Sequence, residues 1–182
     1  MYSKEEQAIK FVAKAFENKK RIKEDIDLSF HSISVGFMLK SIGCSENIVV
    51  SGLLHDIIED TNYQYNDILN MFGKTIADNV LSLSEKQDID DFKERKNEFI
   101  NRLSMQGNEI ILIEVADKLH NLLSDYDLWK EKGNDALATL STTYEMNKWY
   151  YLEMKKLFNE KLDKNELLER YNNICNLYFG EK

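Results

Sequence analysis

The run Ile110-Ile111-Leu112-Ile113-Glu114-Val115-Ala116, continued by Asp117-Lys118-Leu119-His120-Asn121-Leu122-Leu123-Ser124, decides the fold. Its first seven residues are rich in β-branched side chains, and alone they read as a buried strand with Asp117 at its end. The apolar pattern runs on, however, through Leu119, Leu122, Leu123 and Tyr126 at three- and four-residue spacing, the period of a helix and not of a strand. No other segment offers a partner strand. The spacing therefore predicts one long central helix from about Asn108 to Lys130 and an all-α protein.

The flanking sequence agrees. Ile9, Val12, Ala13 and Phe16 recur at helical spacing, as do Ile26, Phe30, Ile33 and Phe37. The second of these helices also carries Val35, Met38, Leu39 and Ile42, a stripe wide enough for a central position. Gly43 reads as its C-terminal stop and Ser45 as the N-cap of a helix from about Ile48 to Glu59, ending at Thr61-Asn62. Gly73 separates two short helices. Gly107-Asn108 and Gly133-Asn134 read as stop-and-start pairs with Asn capping the next helix, and Asp163 with Glu166 as a capping box opening the last helix. With 182 residues, 7 Gly, no Pro and no linker or repeat, one domain over residues 1–182 is expected, a helical bundle around a central site.

Composition narrows the classes of function. Hydrophobic residues make up 43% and charged residues 31%, which predicts a packed core rather than disorder. The net charge of −8 argues against a general nucleic-acid binder. The start Met1-Tyr2-Ser3-Lys4-Glu5-Glu6 lacks the basic-then-apolar order of a secretion signal, and no apolar run approaches the roughly 20 residues of a membrane span. Cys44 and Cys175 read as reduced thiols. A soluble, cytoplasmic protein is the expectation.

The candidate chemistry gathers around three histidines. His31 stands in the second helix, and His55-Asp56 follows the apolar stretch Ile48 to Leu54. Glu59 and Asp60 come one helical turn after His55 and Asp56. Four ionisable groups on one arc of an apolar helix are costly to bury without partners, and a divalent cation such as Mn, Fe or Zn would offset that cost. Asp117, with Asn121 one turn on and Ser124 two turns on, presents a second inward polar face. Each residue has a plainer reading: His31 and His120 as hydrogen-bonded structural histidines, Glu59-Asp60 as a solvated helix end. Acids at a helix C-terminus oppose its dipole, however, and the joint occurrence in this order favours a site.

The order His31, His55-Asp56, Asp117 resembles the HD-domain metal-dependent phosphohydrolases. Leu53-Leu54-His55-Asp56-Ile57-Ile58-Glu59-Asp60-Thr61 is more specific, and is similar to the hydrolase domain of RelA/SpoT enzymes and of small stand-alone alarmone hydrolases. Asp67-Ile68 to Phe72-Gly73, Glu94-Arg95-Lys96, Val115 to Leu122 and Trp149-Tyr150-Tyr151 extend the likeness over about residues 5–160. The resemblance implies an all-helical domain in which His31, His55, Asp56 and Asp117 hold Mn²⁺, other divalent metals being alternatives. It implies that Glu59 and Asp60 position or activate the attacking water, and that Asn121 and Ser124 line the nucleoside pocket. The implied reaction removes the 3′-diphosphate of (p)ppGpp, leaving GDP or GTP and pyrophosphate.

An acidic protein that takes a polyanionic substrate needs local cations, and Lys19-Lys20-Arg21-Ile22-Lys23 supplies them just before His31. It matches the family's basic stretch, with Arg21 and Lys23 the preferred substrate contacts, since a guanidinium can stack on a base or grip phosphate. Arg95 and Lys96 are candidates for the leaving diphosphate. Two departures bear on base recognition: Leu28-Ser29-Phe30-His31-Ser32 lacks the family's Pro after the first histidine, and the preceding loop lacks its Gly-rich pattern. An HD phosphohydrolase of another nucleotide and a catalytically silent nucleotide sensor are the alternatives; intact His31, His55, Asp56, Glu59, Asp60 and Asp117 weigh against the second. Trp129 and Trp149 read as core or interface anchors. The pair of late helices bearing Trp149, Tyr150 and Tyr151 leaves open whether copies of the chain associate through it or bury it internally.

Overall fold

Ser3 opens the first helix, α1 (Lys4–Ala15): its hydroxyl accepts the Glu6 N–H while the Glu6 carboxylate takes the Ser3 N–H, a reciprocal cap. The structure is a computed structural model that describes residues 2–21, 24–140 and 142–180. The chain divides into two compact units, residues 1–88 and 89–182.

In the first unit, α1 is followed by a minimal antiparallel pair, β1 (Lys20–Arg21) and β2 (Ile26–Asp27), with Lys20 opposite Asp27 and Arg21 opposite Ile26. This pair is the only sheet among the described residues, so the class is all-α, as expected. Then come α2 (Ser29–Ser41), α3 (Glu46–Leu54), α4 (Ile57–Asp60), α5 (Tyr65–Phe72) and α6 (Lys74–Leu83). Every residue of α3 from Ile48 to Leu54 is buried, and α3 packs against α1, α2 and α6. A helix apolar on all sides belongs at the centre of its unit.

Two helices are rotated from the phase that their large apolar residues suggest. In α1 the buried side chains are Ala8, Phe11 and Val12, with Phe16 just beyond, and Ile9 faces outward. In α2, Phe30 and Phe37 are 50% and 71% exposed, while His31, Ser32, Val35, Gly36 and Leu39 are buried. Gly36 lets the α2 backbone approach Leu53 of α3 more closely than the Phe-bearing face could, and that close packing outweighs the exposure of two rings. Gly43 stops α2 with φ 81°, as anticipated.

The helix expected from Ile48 to Glu59 is two helices. His55 and Asp56 are the joint between α3 and α4, with φ and ψ still right-handed but ψ flattened to −2° at Asp56. The His55 ring takes the Gly52 carbonyl that a continuous helix would offer to the Asp56 N–H, so the ladder lapses there.

The second unit holds α7 (Phe92–Leu103), α8 (Asn108–Lys132), a 3₁₀ turn (Gly133–Thr139), α9 (Tyr144–Lys161) and α10 (Glu166–Phe179). The ambiguous run 110–116 lies inside α8, which packs against α9 and α10 and closely matches the helix read from sequence. Two caps differ. Gly107, not Asn108, is the N-cap of α8, and Asn165 rather than Asp163 opens α10 by accepting the Leu168 N–H. Tyr150 and Tyr151 are buried within this unit, and the Tyr171 hydroxyl donates to the Tyr151 carbonyl at 2.9 Å. Both cysteines are free thiols. No helix among the described residues is long and apolar enough to cross a membrane.

Candidate metal centre

His31 comes from the first turns of α2, and His55 and Asp56 from the α3–α4 joint. Both imidazoles are buried, at 2% and 4% exposure. The three side chains converge. His31 Nε2 lies 3.1 Å from His55 Nε2, and Asp56 Oδ2 lies 3.1 Å from His55 Nε2 and 3.5 Å from His31 Nε2. His55 Nδ1 donates to the Gly52 carbonyl at 2.8 Å, which leaves the lone pair on Nε2, facing the other two donors.

This arrangement fits a divalent metal. Two ligands at right angles on bonds of about 2.1 Å lie roughly 3 Å apart, close to the separations found here. Imidazole nitrogen with carboxylate oxygen is the donor set that Mn, Fe and Zn accept. The chain thus carries a candidate His/Asp metal site, to which His31 and His55 each offer one ring nitrogen.

The acidic pair on α4 is held differently on its two members. Glu59 Oε1 accepts the Glu85 N–H at 2.9 Å and Oε2 the Gln87 amide at 3.2 Å, so its carboxylate also secures the segment after α6. The Asp60 carbonyl accepts from Lys19 Nζ, which ties the basic hairpin to the end of α4. Of the basic cluster, Lys20 pairs with Asp27 at 3.5 Å, and Arg21 Nε bonds Glu24 Oε2 at 2.6 Å. Lys23 lies outside the described residues.

In the second unit, Asp117 is buried on α8 and both of its oxygens are engaged. Asn121 Nδ2 donates to Oδ1 at 2.7 Å and Lys118 Nζ to Oδ2 at 2.6 Å. Lys118 Nζ also stands 3.0 Å from Glu114 Oε1, and lies over the Phe99 and Tyr150 rings. One ammonium thereby offsets two buried carboxylates, since Glu114 and Asp117 are only 2% and 4% exposed. In the sequence Glu114 reads only as an interruption of the apolar run, and Lys118 does not stand out. Their i,i+4 spacing inside that run is the signal that pairs them.

Ser124, His120 and Asp125 are buried farther along the same helix. Burial, with Asp125 and other neighbours, holds the Tyr151 hydroxyl well above its usual range of ionisation. Arg95 Nη1 donates to the Ile89 carbonyl at 2.7 Å, and Lys96 Nζ sits 4.5 Å from the Tyr150 ring centroid and 5.4 Å from that of Phe92.

The profile of the HD domain family matches residues 8–144. The chain belongs to the HD-domain family. The bifunctional (p)ppGpp synthase/hydrolase SpoT of Escherichia coli is 34% identical to this HD-domain chain over 97 residues, covering 50% of the chain and 14% of that protein. A probable chloroplastic GTP diphosphokinase of Arabidopsis thaliana is 30% identical over 125 residues, covering 63% of the chain and 18% of that protein. The chain therefore spans less than a fifth of these curated relatives' length. Among solved structures, a protein of Listeria monocytogenes is similar with 30% identity and a TM-score of 0.77, covering 83% of the chain and 99% of that protein. A metazoan SpoT ortholog, described as hydrolysing ppGpp, shares the fold at 21% identity and a TM-score of 0.80, with 98% and 97% covered.

Proposed function

We propose that this HD-domain chain is a metal-dependent phosphohydrolase that removes the 3′-diphosphate of (p)ppGpp-type nucleotides, releasing pyrophosphate and leaving GDP or GTP. The observation that carries this reading is the convergence of His31 Nε2, His55 Nε2 and Asp56 Oδ2 within 3.5 Å of one another. The names of the SpoT-type relatives supply the substrate class.

In this reading the two compact units act as one HD domain. His31, His55 and Asp56 hold the metal, taken to be Mn²⁺, and the family resemblance assigns Asp117 as the further carboxylate ligand. When bound, a divalent cation supplies charge neutralisation and Lewis-acid polarisation for phosphoryl transfer. The Gly52 carbonyl holds the His55 ring in the tautomer that ligation requires. Lys118 and Asn121 each bond one Asp117 oxygen and so fix the carboxylate plane.

Asp60, at the exposed end of α4, accepts the proton of the attacking water. Glu59 orients that water while holding Glu85 and Gln87, so its role joins chemistry to local structure. Arg21 and Lys23 meet the base or phosphates, Asn121 and Ser124 line the nucleoside pocket, and Arg95 and Lys96 neutralise the departing diphosphate.

Product analysis by anion exchange after incubation with Mn²⁺ and ppGpp tests the reading, with Asp117→Ala as control. GDP and pyrophosphate from the wild type alone are expected. Orthophosphate release would redirect the cut to a phosphatase reaction, and no turnover by Mn²⁺-loaded protein would rule out this substrate.

A further inference from the structure

One face of α1 carries Gln7, Lys10, Phe11 and Lys14, with Lys10 and Phe11 three and four residues after Gln7 and Lys14 three and four after Phe11 and Lys10, and this face forms one wall of a pocket of about 500 Å³. Tyr2, Tyr63 and Met71 complete the wall. None of these residues belongs to the candidate metal centre.

The floor is aromatic and well packed. Phe11 is 7% exposed, and its ring meets Tyr63 edge-on at a centroid distance of 4.7 Å and Phe72 at 5.7 Å. The rim is apolar and open: Tyr2 and Met71 are 64% and 51% exposed. Aromatic rings beside a polarisable thioether suit a flat π-system, and the volume lies within the range of small-molecule pockets.

The charge is one-sided. Among the described residues no carboxylate lines the pocket, although the chain as a whole carries −8. Lys10 and Lys14 are i,i+4 neighbours that repel each other, and the nearby acids of α1 are engaged elsewhere: Glu5 with Lys40, and Glu6 with Ser3. Lys10 Nζ stands 5.7 Å from the centroid of the Tyr2 ring, a cation–π approach. Two like charges beside an aromatic floor, without a carboxylate in the lining, are stabilised by an anion.

We propose that this pocket binds a planar aromatic anion, its ring system on Phe11 and Tyr63 and its anionic group between Lys10 and Lys14. Nucleoside phosphates and aromatic carboxylates both have this chemistry. The proposal does not depend on the hydrolase reading, since it shares no residue with that site.

The test is fluorescence titration of the full chain with anilinonaphthalene sulfonate, repeated on Lys10→Ala/Lys14→Ala. Phenylnaphthylamine, which has the same rings without the charge, is the control ligand. Saturable binding of one dye per chain is expected, weakened roughly tenfold in the double variant, with the neutral ligand bound equally by both proteins. These lysines are exposed, so circular dichroism of the variant should match the wild type. Displacement of the dye by guanosine monophosphate would assign a nucleotide, and displacement by naphthoate alone an aromatic carboxylate. Displacement by neither, no saturable binding, or equal affinity in the double variant would overturn the proposal.

Discussion

A Cβ placed on Gly36 would stand 2.5 Å from both Cγ and Cδ2 of Leu53. Real Cβ atoms essentially never stand that close, so with Leu53 as it is packed a larger residue at 36 forces the Leu53 side chain or the helices to shift. His31 lies on α2 one and a half turns before Gly36, and His55 follows Leu53 at the end of α3, so the same contact sets the 3.1 Å approach of the two imidazoles. Gly36→Ala is expected to cost about 1–3 kcal/mol of stability by overpacking and to weaken divalent-metal binding. Adding Leu53→Ala should return much of the metal affinity without restoring full stability, because it opens space but removes buried apolar surface. Thermal melting and calorimetric Mn²⁺ titration of the three proteins check this; undiminished metal affinity in Gly36→Ala would show that the contact does not position the histidines.

Glu59 and Asp60 should respond differently to neutralisation. Glu59→Gln puts an amide where one of two acceptor oxygens stood, so it should lose one bond to Glu85 or Gln87 and about 1 kcal/mol of stability. Asp60→Asn should leave stability near that of the wild type. Both should retain Mn²⁺ and lose turnover by roughly 10²–10⁴-fold. Unchanged rates in both would remove the acidic pair from the mechanism.

Arg21 offers a test of substrate recognition apart from metal binding. Its guanidinium bonds Glu24 at 2.6 Å, and its side chain is only 11% exposed. Arg21→Glu sets two acids against each other across the hairpin turn, and should raise the nucleotide Kd by about tenfold or more while changing the Mn²⁺ Kd far less. Equal nucleotide affinity in wild type and variant would confine Arg21 to holding the hairpin.

How much of this was legible in sequence depends on the range of the forces involved. The course of α8 from Asn108 to Lys132 could be read because its pattern is local and long. The outward turn of Phe30 and Phe37 could not, because it follows from the fit of Gly36 against Leu53, a contact between helices. Periodicity runs straight through His55 and does not register a side chain capturing the Gly52 carbonyl. Order and motif single out His31, His55, Asp56 and Asp117, and the first three converge in the structure. The partners of Glu59 were not legible, since Glu85 and Gln87 are 26 and 28 residues away, and nothing in their types marks them.

The tyrosine cluster of the second unit predicts an alkaline limit. Tyr171 is fully buried and burial pushes its ionisation well above 10, as it does for Tyr151. Above pH 10 the unfolded chain releases tyrosine protons that the folded chain keeps, so stability is intact below that pH and falls as pH rises past it. The slope is up to about 1.4 kcal/mol per pH unit for each such residue. Tyr171→Phe should be less stable near neutrality by roughly 1 kcal/mol, through loss of the bond to the Tyr151 carbonyl, yet decline less steeply above pH 10. Melting temperatures from pH 8 to pH 12 check the sign, and parallel declines in the two proteins would contradict it.

Mn²⁺ titration followed by electron paramagnetic resonance, on wild type, His55→Ala and Asp117→Ala, tests most directly whether these residues form a metal centre. One tightly held Mn²⁺ per wild-type chain is predicted, lost in both variants while their helical circular dichroism persists. Full occupancy in both variants would contradict the site.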